Sequence, residues 1–157
     1  MEFAEQIDLD GFLLDKNSRP FLVGELSGNH NNDLERAKKL INAAKEAKVD
    51  AIKLQTYSAD TITIKSDLDD FRVKGGIWAG YQLYDLYQEA SLPFEWHKEL
   101  FEYAKSEKIT IFSSPFDTTS VDLLESLNIP FYKIASPEII DLQLIEYVAR
   151  KRKPIMI

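Results

Sequence analysis

Two lysines stand where their neighbours read as core. Lys53 interrupts "DAIKLQTY" (50–57), and Lys133 interrupts "FYKIASPE" (131–138). Strand alternation puts Lys53 and Gln55 on the same face. A buried ammonium without a partner costs several kcal/mol or gives up its proton, so each lysine requires an anion or an opening. Glu25 lies equally late in "FLVGEL" (21–26), and Ser113, Ser114 and Ser136 add hydroxyls at the ends of two further stretches. Two ammonium groups, one carboxylate and several neutral donors suit a small polyanion. A Lys–phosphate pair about 4 Å apart is worth roughly 4 kcal/mol at an effective dielectric of ~20. An internal Lys–Glu ion pair in a structural core is the competing reading, but charge clustered late in three separate stretches favours a ligand site. Mid-strand lysines also admit Schiff-base chemistry, with Lys53 or Lys133 as the nucleophile of an aldolase. A binding or assembly unit without turnover is the reading outside enzymes.

The elements that must position these groups alternate. The apolar stretches 21–26, 51–56, 109–115, 131–136 and 153–157 are separated by helical patterns, the first marked by Leu34, Ala37, Leu40, Ile41 and Ala44. Further stripes run over 94–108, 118–128 and 142–151, and the last three strands recur at an equal spacing. Strict alternation of strand and helix means a parallel sheet covered by helices. A dinucleotide-binding fold is disfavoured, because "GELSGNHNND" follows the first strand in place of GxGxxG. A TIM (β/α)8 barrel accommodates mid-strand charge at the mouth formed by the strands' C-terminal ends. Such barrels take roughly 250 residues, so a chain with about five parallel strands is expected to be the N-terminal portion of one. Residues 1–19 read as an N-terminal extension, 20–157 as the barrel part, and 57–92 as an insertion after the second strand. That insertion, with a Gly-Gly pair, Trp78 and a tyrosine-rich helix, is either a lid or sugar-stacking wall, or a packing patch.

Composition narrows the partners. With 157 residues, 45% of them hydrophobic, a sizeable core is available despite a net charge of −7. Such an acidic chain is a poor match for nucleic acid or an anionic membrane, so an anion must be held by a local lysine cluster. The absence of cysteine removes thiolate catalysis and zinc knuckles. The N-terminus is broken by charges and no apolar run reaches spanning length; a cytoplasmic protein is expected. His97 lies on the apolar stripe of its helix and reads as a satisfied core histidine. His30, in "GNHNND", reads as either a group facing the mouth or a turn residue before a helix cap. The run "RKRK" (150–153) reads as a solvated helix end.

These residues resemble the sialic acid synthase family of phosphoenolpyruvate-dependent nonulosonate synthases. The resemblance runs from about Pro20 to Ile157 through "GELSGNHNNDLERAKKLINAAKEAKVDAIKLQTY", "IFSSPFD" and "YKIASPEI". Within the family, "KLQTYSADTIT" and "KGGIWAGYQLYDLYQEASLPFEWHKELFEYAK" look most like pseudaminic acid synthases. The resemblance implies condensation of phosphoenolpyruvate with an N-acylated amino sugar, giving a nonulosonic acid and phosphate. It implies phosphoenolpyruvate contacts at Lys53, Lys133 and Ser136, a sugar contact at Gln55, and an acid/base or intermediate-stabilising role for Glu25. It also implies a divalent metal (Mn, Co or Mg) that polarises the aldehyde, with no metal ligand in this chain, because the family's metal-binding histidines lie on later strands. The chain alone is therefore expected to be inactive. Its apolar outer strands are expected to pair with another copy or with a C-terminal half.

Overall fold

The computed structural model describes residues 5–157. Five parallel strands form one sheet in the order of the chain: β3 (Val23–Glu25), β4 (Ala51–Thr56), β5 (Thr110–Pro115), β6 (Tyr132–Lys133) and β7 (Ile155–Met156). Helices α1 (Leu34–Glu46), α4 (Phe94–Ser106), α5 (Thr118–Ser126) and α6 (Leu142–Ala149) fill the four crossovers. Sequential order with right-handed crossovers puts every helix on the same face. The sheet is therefore singly wound, as in a TIM barrel, and has no switch point. Ile52, Leu54, Ile111 and Tyr132 are buried with Ile41, Leu100, Phe101, Leu124, Leu144 and Val148 of the covering helices.

The junctions repeat a local chemistry at each turn of the chain. Asp33, Asp117 and Asp141 cap α1, α5 and α6, each accepting backbone N–H groups of the first turn. At the other end, the chain leaves α1, α4, α5 and α6 through Lys48, Lys108, Asn128 and Arg152, all at φ between 56° and 59°. After α1, the Val49 amide donates to the Ala44 carbonyl and the Lys48 amide to the Lys45 carbonyl. Ile109 and Lys108, and Ile129 and Asn128, make the same pairs after α4 and α5. This is the Schellman ending, usually built on glycine.

The stretch before the sheet holds more order than its acidic sequence suggests. β1 (Ile7–Leu9) and β2 (Phe12–Leu14) form an antiparallel hairpin across Asp10 and Gly11, both at positive φ. Asp-Gly is the preferred pair for such a two-residue turn, and it is the signal that an emphasis on charge overlooks. The hairpin closes the N-terminal end of the sheet. Thr110 donates its hydroxyl to Asp10 at 2.7 Å, and Phe12 meets Phe21 edge-on at 5.1 Å. Phe21 in turn meets Phe131 at 6.0 Å, and Phe131 meets Phe112 at 4.4 Å. The inner face is thus aromatic at its N-terminal end.

Candidate anion site at the strand ends

Register decides which polar side chains meet. Glu25 pairs with Lys53, Lys53 with Phe112, and Gln55 with Ser114. Ser113 pairs with Tyr132, which sets Ser114 beside Lys133. Side chains alternate, so Glu25, Lys53, Gln55, Ser114 and Lys133 share the inner face, just beyond Phe112 and Phe131. Lys53, Lys133, Glu25 and Gln55, expected together at one mouth, thus lie on one face of the sheet near the strands' C-terminal ends. Lys53 and Glu25 are also ion-paired, with the lysine side chain 14% and the glutamate side chain 41% exposed. The internal ion pair and the open mouth, posed as alternatives by the sequence, coexist in the same two residues. Lys133 has no carboxylate within ion-pair distance among the described residues. Gln55 is met by the Ser27 hydroxyl at 3.4 Å, a weak contact.

The serines separate. Ser114 is buried on the inner face and its Oγ has no partner. Ser113 points the other way and bonds Thr56 at 2.6 Å, so it adds nothing to the mouth. Ser136 is exposed and precedes the 3-10 turn Pro137–Ile140 that follows β6. In that turn Glu138 keeps a buried Oε2 without a hydrogen bond. Burial holds its carboxyl above the ordinary range, against the pull of Lys133. Sequence reasoning passed over Glu138; its signal was a carboxylate in the loop directly after the strand that carries Lys133.

Both histidines face helices. His97 is fully buried and bonds Thr56 at 2.9 Å and the Pro93 carbonyl at 3.1 Å, as a core histidine should. His30 is also fully buried. Its Nδ1 accepts from the Asn32 amide at 3.1 Å, so the neutral ring carries its proton on Nε2. No acceptor meets that proton in hydrogen-bond geometry, although the Ala90 carbonyl lies on that side. Asn32 donates to the Glu89 carbonyl at 3.2 Å, and a Cβ on Gly28 would come within 3.3 Å of the Ala90 carbonyl oxygen. The loop 27–33 thus closes over the C-terminal end of α3 (Leu83–Ala90), the helix of the insertion. Of the two readings of His30, the structure favours the turn. Among the described residues no three His, Cys, Asp or Glu side chains gather as a metal site, and no helix is long and apolar enough to cross a membrane.

Comparison with known proteins gives this arrangement a context. The profile of the NeuB family matches residues 40–157. The chain belongs to the NeuB family. A pseudaminic acid synthase of Helicobacter pylori is 53% identical over 138 residues, covering 88% of this chain and 41% of that protein. One from Campylobacter jejuni is 44% identical, covering 96% of this chain and 43% of its own. This NeuB-family chain therefore spans about two fifths of the length of the curated relatives it matches. The crystal structure of an N-acetylneuraminic acid synthetase from Leptospira borgpetersenii, in complex with citrate, superposes with a TM-score of 0.80 at 25% identity. It covers 96% of this chain and 48% of that one, so the five strands correspond to the N-terminal part of a NeuB-family barrel.

Proposed function

We propose that this chain forms the phosphoenolpyruvate side of a synthase site, which condenses phosphoenolpyruvate with an N-acylated amino sugar to a nonulosonic acid and phosphate. The observation that carries the reading is the inner-face row of Glu25, Lys53, Gln55, Ser114 and Lys133, set by strand register. Lys53 and Lys133 supply two cations for a phosphate and a carboxylate, and the unpartnered Ser114 hydroxyl supplies a donor between them. Ser136, just past Lys133, is the further phosphoenolpyruvate contact, and Gln55 faces the sugar. Similarity to pseudaminic acid synthases favours a sugar of that class as acceptor.

In the reaction, the vinyl π pair of phosphoenolpyruvate forms the bond from its methylene carbon to the aldehyde carbon of the sugar, and the aldehyde π pair becomes an alkoxide. Water adds at the phosphate-bearing carbon while its proton passes to that alkoxide. Collapse of that adduct releases phosphate and leaves the 2-keto acid. Glu25 sits beside Lys53, where it can hold or pass the proton of the adding water. Among the described residues no three His, Cys, Asp or Glu side chains gather to hold a divalent metal, and no step here runs through one. The compartment proposed is the cytoplasm, and the complete site is proposed to involve another copy of the chain or a C-terminal half.

Calorimetry with phosphoenolpyruvate tests the reading. The chain should bind it, and Lys133→Ala should abolish the heat while leaving the circular dichroism unchanged. No binding by the unaltered chain would refute the reading. Borohydride trapping of pyruvate on Lys53 or Lys133 would replace it with the aldolase chemistry.

A further inference from the structure

Behind the anion row lies a second polar cluster, wholly buried, that the proposed reaction does not use. Thr56 of β4 stands at its centre, bonded to Ser113 Oγ of β5 at 2.6 Å and to His97 Nε2 of α4 at 2.9 Å. All three residues are 0% exposed. Proton counting leaves one arrangement. His97 Nδ1 lies 3.1 Å from the Pro93 carbonyl, which only accepts, so the ring proton is on Nδ1. Nε2 then accepts from the Thr56 hydroxyl, and Thr56 Oγ accepts from Ser113. Burial drives the His97 imidazolium down to about 4, which keeps the ring neutral and the order fixed at neutral pH.

Each strand member of this cluster adjoins an anion-row residue on the opposite face: Thr56 follows Gln55, and Ser113 precedes Ser114. The Phe116 amide also donates to the Thr56 carbonyl at 3.3 Å, where the ladder ends. We infer that His97 is a positioning residue for the anion site: acting through Thr56, it fixes the spacing of the β4 and β5 ends and so the separation of Gln55 and Ser114. Leu54 and Phe112 precede this point in the same backbone ladder, and their apolar side chains add packing without direction. At Thr56 the ladder ends, and three directional bonds in a dry environment add a restraint there. The inference concerns the site proposed above and rests on that proposal for its ligand, though not for its geometry.

The test uses Thr56→Val, which keeps the shape and removes the hydroxyl, against Thr56→Ser, which keeps the hydroxyl. Amide hydrogen exchange in the ligand-free chain should speed up about tenfold or more at Gln55, Ser114 and Phe116 in Thr56→Val. It should return to the original rate in Thr56→Ser, with α1 and α6 amides unaffected in both. In the same samples phosphoenolpyruvate affinity should fall about tenfold in Thr56→Val and recover in Thr56→Ser. Unchanged exchange at the three amides, or equal acceleration everywhere, would overturn the positioning role. Local acceleration with no phosphoenolpyruvate binding by the unaltered chain would uphold the positioning role and remove the proposed ligand. If Thr56→Val does not fold, Ser113→Ala, which deletes one donor from the cluster, is read at the same amides with the same criteria.

Discussion

In the proposed site, an anion arriving at Lys53 would meet an ammonium already paired with Glu25. Binding there would be an exchange of partners, with the glutamate standing in for the ligand's negative charge. Two expectations follow from that exchange. Lys53→Ala should weaken phosphoenolpyruvate binding by roughly 2–5 kcal/mol, because Glu25 and the ligand are then left facing each other without the cation; unchanged calorimetric affinity in a folded variant would contradict the assignment. Glu25→Gln should leave binding intact or tighten it, since Lys53 no longer has to be released, yet lower turnover in the complete enzyme. Parallel loss of affinity and turnover would make Glu25 a purely structural partner. That both lysines share one face late in their strands was legible, because an ammonium in an apolar run has few physical solutions. The orientation of the serines was not. In "ITIFSSP" two hydroxyls stand side by side, and which of them turns inward is set by the register with β4, where Gln55 pairs with Ser114 and Leu54 with Ser113.

At the scale of elements, the helix α4 ties its histidine to the ends of two strands, and that tie depends on pH. His97 has an ordinary value of 6.5 and is lowered to about 4 by burial. The unfolded chain thus takes up a proton that the folded chain refuses. The stability contributed is complete above about pH 6.5 and is lost as pH falls from there toward 4. His30 is lowered in the same direction by burial, so both histidines act in this window, and the raised carboxyl of Glu138 works against them there. Urea midpoints should drop between pH 7.5 and pH 5 by the equivalent of roughly 2 kcal/mol, and His97→Gln should shrink that drop. A flat profile would mean that protonated His97 finds room the structure does not offer. The strand β4 was legible to the residue because "AIKLQT" alternates cleanly. β6 was expected over 131–136, but only Tyr132–Lys133 pair as a strand, and the chain then turns through Ser136 and Pro137 into a 3-10 turn. The proline, which lacks an amide to donate, marks where pairing must end.

At the scale of the whole sheet, the two ends differ: one is aromatic and the other charged. The hairpin and four phenylalanines occupy the N-terminal side of the sheet, while the charged row occupies the other. Phe12→Ala should therefore destabilise the fold by about 1–3 kcal/mol, less than a fully buried ring because Phe12 is only half-buried, with phosphoenolpyruvate affinity unaltered. A loss of affinity matching the loss of stability would show that the two ends are coupled. The sequence revealed the alternation that builds this polarity, whereas the aromatic end depends on contacts between residues distant in the chain. The repeated helix endings have a practical consequence of another kind. Lys48, Lys108 and Arg152 hold a left-handed backbone that disfavours any side chain by about 1 kcal/mol, all three are exposed, and none makes a side-chain bond among the described residues. Each is a ready site for engineering: Lys48→Gly, Lys108→Gly and Arg152→Gly should each raise the melting temperature by a few degrees. Combined, they should act additively, giving a heat-tolerant variant whose anion site is untouched. Asn128, already the best tolerated of the four in that conformation, should gain least.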